Sequence, residues 1–239
     1  MSRHTYLDGI ALANFRGIGK DAQRVGPFSQ FNFFIGPNNA GKSSVIDYIS
    51  RYLPYVSAHR KNTENQSPVR DLDVNVDAIA RSSVRLGYGI LKSHLREKVS
   101  GALEQKGQFN SAQTSKILKA LDAFLNAMVL DASGLIWFER SQGDGKKIHL
   151  GAGINEIAEA LQGQEHSVQL LWSVLLGKQG GSLALHWIPE LVEYIISIPH
   201  QYPGCAIIPA IREISEKGQN FEDWSGKGLI EEQIGRAHV

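Results

Sequence analysis

The spacing of hydrophobic and polar positions changes several times along this chain, and each change predicts an element. Residues 10–15 (IALANF) form a short apolar, β-prone run that Arg16-Gly17-Ile18-Gly19 breaks. Residues 21–27 are polar and predict a plain connection. Apolar character returns at residues 31–35 (FNFFI), where Phe31, Phe33, Phe34 and Ile35 predict a buried strand. A helical stripe through Val45, Ile46, Ile49 and Leu53 follows. Residues 60–70 are polar and aperiodic, which predicts a loop. Residues 73–80 (DVNVDAIA) alternate at period two, as a half-exposed strand does, and residues 84–90 predict another strand.

Beyond residue 110 the pattern is mostly helical. Ile117, Leu118, Leu121, Phe124, Leu125 and Met128 recur at three- and four-residue steps and predict a helix over residues 113–130. Its end, Ala127-Met128-Val129-Leu130-Asp131, mimics an apolar strand closed by a magnesium-binding acid. The helical stripe runs into it, and Ala132 stands where a catalytic Glu would be needed, so the expectation is a helix end. Residues 135–140 and 147–150, with Gly143-Asp144-Gly145 between them, predict a β-hairpin. Residues 154–162, 167–177 and 186–198 predict three more helices, the last tolerating Pro189 near its start. Trp172 and Trp187 fall on core positions. Residues 205–208 predict a strand ahead of Pro209.

Between the apolar run at 31–35 and the first helix lies the chain's most specific chemistry. Gly36, Pro37, Asn38, Asn39, Ala40, Gly41, Lys42 and Ser43 fit G-x-x-x-x-G-K-[ST], the phosphate-binding loop, and Ser44 follows. Glycines let the backbone curl until successive N–H groups face one anion. Lys42 is placed to reach β- and γ-phosphates, and the Ser43 hydroxyl to ligate Mg²⁺. The following helix aims its positive end at the same anion. Without a guanine-reading Asn-Lys-x-Asp segment, ATP is the expected nucleotide rather than GTP.

Composition changes this picture little. Hydrophobic residues make up 42% and charged residues 21%, and 25 basic residues nearly cancel 24 acidic ones. Net charge therefore offers no argument for nucleic acid. The single Cys205 excludes an internal disulfide framework and fits a reducing, cytoplasmic setting. The eight histidines lack zinc-site spacing. The polar start MSRHTYLDG is no signal peptide, and no apolar run is long enough to span a membrane.

Leu12, Asn14, Phe15 and Arg16, followed by Phe34, Ile35 and the loop through Ser44, carry a family likeness. An apolar-x-x-Asn-Phe-Arg strand closely followed by such a loop resembles the ATPase heads of the SMC, RecF and OLD (overcoming lysogenization defect) families, within the ABC-type ATPases. Those families favour an Asn at the place of Asn39 and a second Ser at Ser44. The passage Ile208-Pro209-Ala210-Ile211-Arg212, with Ser225-Gly226-Lys227-Gly228-Leu229-Ile230 further on, is similar to OLD-type and related AAA-like ATPases. The resemblance implies an α/β P-loop NTPase fold: a mixed sheet with antiparallel side strands and a helical insert at about residues 110–200. It further implies ATP and Mg²⁺ as cofactors, heads that associate as homodimers, and DNA as a partner in repair or phage defence.

Such heads hydrolyse ATP with a glutamine loop, a Walker B Asp-Glu pair and a signature loop, and residues 1–233 contain no convincing set. The expectation is the N-terminal part of one ATPase domain, incomplete, that binds nucleotide without turnover. Ile234-Gly235-Arg236-Ala237-His238-Val239 are what a common sequencing adapter encodes in one frame, so residues 234–239 are expected to be a non-native tail. Two other classes remain open. One is a P-loop kinase or other small NTPase with Asp131 as its metal acid; the other is an interaction module gated by ATP without turnover.

Overall fold

The computed structural model describes residues 7–37, 40–57, 69–80, 83–105, 109–141 and 148–198. Its centre is a five-stranded sheet of β1 (Gly9–Ala13), β2 (Gln23–Val25), β3 (Arg85–Leu91), β4 (Leu135–Ser141) and β5 (Ile148–Leu150). The order across the sheet is β2-β1-β3-β4-β5, and every pairing is antiparallel. The mixed sheet expected from the sequence is thus, among the described residues, an antiparallel one.

Register sorts the side chains into two unlike faces. Ile10 lies opposite Tyr88, and Tyr88 opposite Phe138, so large apolar residues line up across three strands. The Tyr88 and Phe138 rings stack with centroids 5.3 Å apart. This face, with Leu12, Leu86, Ile90 and Ile136, takes the helices and forms the main core. Each fully buried side chain of this size contributes about 1.5–3 kcal/mol. The opposite face is built of small residues under Trp137. A Cβ on Gly89 would meet the Trp137 ring at 2.8 Å, and one on Gly87 would meet the Phe138 carbonyl oxygen at 2.5 Å.

The first helix is one run in three parts: α1 (Lys42–Asp47), a π turn (Tyr48–Tyr52) and α2 (Leu53–Ser57). Pro54 has no N–H to give, and the Leu53 N–H just before it bonds the Tyr48 carbonyl one residue further back than an α-helix would. Val45, Tyr48, Tyr52, Leu53 and Val56 are buried, while Ile46 of the expected stripe is exposed. Helix α3 (Lys92–Glu104) leaves β3 directly. Helix α4 (Ser111–Ala127) starts at a capping box: Gln113 N–H donates to Asn110 Oδ1 at 2.9 Å, and Asn110 N–H donates to Gln113 Oε1 at 3.2 Å. Helices α5 (Ile154–Ala160), α6 (Glu165–Leu176) and α7 (Ile188–Ser197) complete the helical layer, with Trp172 and Trp187 buried as expected.

Three expectations are corrected. Residues 31–35 form no ladder, and Phe31, Phe33 and Ile35 are exposed; only Phe34 turns inward, edge-on to Phe28. No strand among the described residues lies beside them, and the Phe31 carbonyl accepts from the Ser29 hydroxyl instead, at 2.6 Å. Residues 73–80 are no strand either, beyond a single bridge between Val74 and Phe15. Asn75 takes their backbone groups instead, its Oδ1 accepting from Asp77 N–H at 2.9 Å and its carbonyl from Ala78 N–H at 3.0 Å. Finally, the polar connection at 21–27 contains the edge strand β2, where solvent on one side suits Gln23 and Arg24. The expectations for residues 205–214, 225–230 and 234–239 lie outside the described residues. No helix among the described residues is long and apolar enough to cross a membrane.

Candidate functional site

Residues 36–44 join the exposed stretch to the anchored helix. Gly41 sits in the left-handed region at φ 83°, immediately before α1, where a residue with a Cβ would be strained. Its carbonyl accepts from Val45 N–H at 3.1 Å, and Ala40 N–H reaches the Pro37 carbonyl at 3.3 Å. The Lys42 ammonium folds back over the loop and donates to the carbonyls of Gly36 (2.7 Å) and Pro37 (2.6 Å). The chain is therefore curled around a cation at the turn that the sequence pattern identifies. Ser43 is exposed with its hydroxyl at the surface, whereas Ser44 is buried against the core. Asn38 and Asn39 lie outside the described residues.

Beneath the loop, the Asn-Phe-Arg turn fixes the helix. Asn14 and Arg16 both take left-handed backbone conformations, at φ 53° and 52°. Neighbouring groups hold them there. Asn14 N–H donates to the Gly19 carbonyl at 2.7 Å, Arg16 N–H to the Asp73 carbonyl at 2.8 Å, and Asn75 Nδ2 to the Arg16 carbonyl at 2.5 Å. The turn so made points the Arg16 guanidinium at α1, where it pairs with Asp47, and at Asp73 (2.8 Å). Ile18 of the same turn lies 3.7 Å from the position a Gly41 Cβ would take.

Asp73 is the buried centre of this base. Its side chain is fully buried and accepts from Arg16, from Arg70 at 2.9 Å and from the Tyr52 hydroxyl. Burial alone would raise its pKa, but the Arg70, Tyr52 and Arg16 bonds outweigh it and hold the carboxyl well below the usual range. On Arg16, burial works against the charge, and the bonds to Asp73 and Asp47 more than offset it, raising the guanidinium above its ordinary value. Tyr48 adds a second anchor, donating its hydroxyl to the Gly87 carbonyl in mid-sheet at 2.7 Å. Sequence reasoning picked out Arg16 but missed Asp47 and Asp73. Asp47 lies four residues after Ser43 on the helix, a spacing that could have flagged it; Asp73 sits in a stretch misread as a strand.

Asp131 does not join this site. It stands beyond the end of α4 and heads the turn into β4, accepting from Ser133 N–H at 2.8 Å. The Ser133 bonds lower its pKa, with a smaller contribution from the Arg24 charge. The helix-end reading of residues 127–131 holds. Among the described residues, no group of three or more His, Cys, Asp or Glu side chains is arranged to hold a metal ion.

No family model matches the chain, and no solved structure matches it. Structural maintenance of chromosomes protein 1 of Schizosaccharomyces pombe is 41% identical to it over 54 residues, which are 23% of this chain and 4% of that protein. The protein of the same name from Caenorhabditis elegans is 27% identical over 128 residues, 51% of this chain and 10% of its own length. The chain therefore spans a tenth or less of the length of these relatives. The similarity relates part of it to proteins of the SMC kind.

Proposed function

We propose that residues 36–44 bind the phosphates of ATP, as part of an ATPase head of the SMC, RecF or OLD kind. One observation carries this reading: the Lys42 ammonium lies inside the curl of the loop on the Gly36 and Pro37 carbonyls. A phosphate group entering there offers the ammonium a stronger, charge-assisted partner than either carbonyl. Gly36, Pro37, Asn38, Asn39, Ala40 and Gly41 supply the backbone, and Ser43 and Ser44 open the helix behind it. The residues fit the magnesium ion as well. The exposed Ser43 hydroxyl would hold it, and the ion would neutralise charge between the β- and γ-phosphates. Arg16, through Asp47, keeps α1 aligned beneath the anion.

On the same reading the whole protein hydrolyses ATP as a homodimer of heads in the cytoplasm and acts on DNA in repair or phage defence. The partial similarity to proteins named for the maintenance of chromosomes supports DNA as the partner. Catalytic carboxylates are not assigned to the described residues, and the position of Asp131 weighs against the kinase alternative.

The test is a titration of the full chain with a fluorescent ATP analogue, with and without Mg²⁺. Losing a charge-assisted bond of about 1.5–3 kcal/mol predicts that Lys42→Ala weakens affinity about 10- to 100-fold. Unlabelled ATP should compete better than GTP. Unchanged affinity in a folded Lys42→Ala variant would sink the assignment.

A further inference from the structure

The stretch that leads into the loop carries an unused surface. Within residues 31–35 only Phe34 turns inward, onto Phe28; Phe31, Phe33 and Ile35 are 75%, 84% and 93% exposed, and Asn32, also exposed, bonds the Ser29 backbone. Three large exposed apolar side chains at every second position of an uncharged, β-prone segment lie outside any ladder of the described residues. Residues 73–80, which also alternate, are held in a turn by Asn75, and the remaining strand-like apolar runs of the described chain pair within β1–β5. One run of matching length and chemistry is left: Cys205, Ala206, Ile207 and Ile208, uncharged and bounded by Gly204 and Pro209. It begins seven residues after Ile198, the last described residue, a tether that spans up to about 24 Å when extended. That is more than the radius of gyration of a domain this size, roughly 17 Å.

We propose that residues 205–208 pair edge to edge with residues 31–35. The pairing gives the approach to the phosphate loop a hydrogen-bonded neighbour and lays Ile207 or Ile208 beside the exposed Phe31, Phe33 and Ile35. The stretch before the loop is then held from the far end of the chain, as the helix after it is held by Arg16 and Tyr48. This inference does not depend on which ligand the loop takes.

The chain contains a single cysteine, and it lies in the proposed partner, so disulfide trapping needs no background removal. Phe31→Cys, Asn32→Cys, Phe33→Cys and Ile35→Cys are made separately in the full chain and equilibrated with oxidised glutathione. Neighbouring strands bring side chains of one face within disulfide range. Cys205 should therefore close an intramolecular bond with position 32 alone, or with one or more of positions 31, 33 and 35 and not with 32. Each bond reads as loss of both free thiols in a monomeric species whose mass shows no attached glutathione, the second thiol having displaced it. No intramolecular bond in any variant, equal trapping at all four positions, or disulfide-linked dimers alone (a second copy as occupant) would overturn the pairing. Amide hydrogen exchange provides a check in the unaltered chain. Residues 31–35 should exchange at least about tenfold more slowly than in Ile207→Pro, which removes one ladder N–H. Equal rates in the two proteins overturn the proposal as well.

Discussion

Two neighbouring stretches, residues 31–35 before the proposed phosphate loop and residues 45–56 after it, are both rich in large apolar side chains. Before the loop, Phe31, Phe33 and Ile35 stand almost fully in solvent; after it, Val45, Tyr48, Tyr52, Leu53 and Val56 are buried. Hydrophobicity does not separate them; available partners do. The helix satisfies its own backbone and needs only a face to pack on, which the Ile10, Leu86 and Tyr88 side of the sheet provides. An extended segment needs a neighbour for every second N–H and C=O, and the described strands leave it none. Beneath the helix, Arg16, Asp73, Arg70 and Tyr52 add a polar base that the preceding stretch lacks.

The sharpest way to break this contrast is to remove the base. Asp73→Ala leaves Arg16 and the Tyr52 hydroxyl facing a void, and breaking a buried pair of this kind costs about 3–5 kcal/mol. Arg16 keeps Asp47, so a loss near ~3 kcal/mol in urea unfolding is expected. Acid should act through the same carboxyl. Its folded pKa lies below the ordinary value of 3.8, so its stabilising contribution is complete above that value. It should disappear as pH falls below 3.8 toward the depressed folded value. Urea midpoints measured from pH 6 down to pH 2.5 should fall in the wild type and flatten in Asp73→Ala. An unchanged acid slope in the variant would remove Asp73 as its source.

The face of the sheet opposite the helices offers a smaller perturbation. Gly87→Ala would place a methyl 2.5 Å from the Phe138 carbonyl oxygen, a backbone atom fixed by the β3–β4 ladder. Overpacking of this sort costs about 1–3 kcal/mol. Because Tyr48 bonds the Gly87 carbonyl, the strain should also weaken the helix anchor. Thermal unfolding reads the first effect, and exchange of the α1 amides the second. Full stability in Gly87→Ala would mean that β3 and β4 can separate locally without disturbing the helix.

The same contrast explains what was legible in the sequence. Helices α4, α6 and α7 were readable because a helix writes its buried face into its own three-to-four periodicity, as Leu121, Phe124 and Leu125 do within α4. Strands β3 and β4 were readable because continuous apolar runs mark burial in mid-sheet. Edge strand β2 was not, since Gln23-Arg24-Val25 is short and mostly polar, and the partners of Arg24, Glu139 and Trp137, lie far along the chain on β4. Residues 73–80 alternate like a strand, but Asn75 diverts their hydrogen bonds into a turn, a competition that period counting cannot see. At the loop, the left-handed Gly41 and the Lys42 ammonium on the Gly36 and Pro37 carbonyls fall where the sequence pattern puts the turn. The base beneath it was not legible, because Arg16, Asp47 and Asp73 are far apart in the chain, and only folding brings the three side chains together.

The smallest effect expected in the fold comes from the residue expected to matter most for ligand. Lys42 bonds two carbonyls of its own loop, Gly36 and Pro37, both on exposed residues that water can satisfy in its place. Nothing beneath the helix depends on it, since Tyr48 and Arg16 anchor that run independently. Lys42→Ala should therefore change unfolding free energy by no more than about 0.5 kcal/mol, the usual range for surface positions. The same variant should show its large loss only in nucleotide affinity. A destabilisation comparable to that of Asp73→Ala would mean that the ammonium braces the loop from within. The Lys42 bonds to the Gly36 and Pro37 carbonyls would then brace the fold rather than mark a place prepared for an anion.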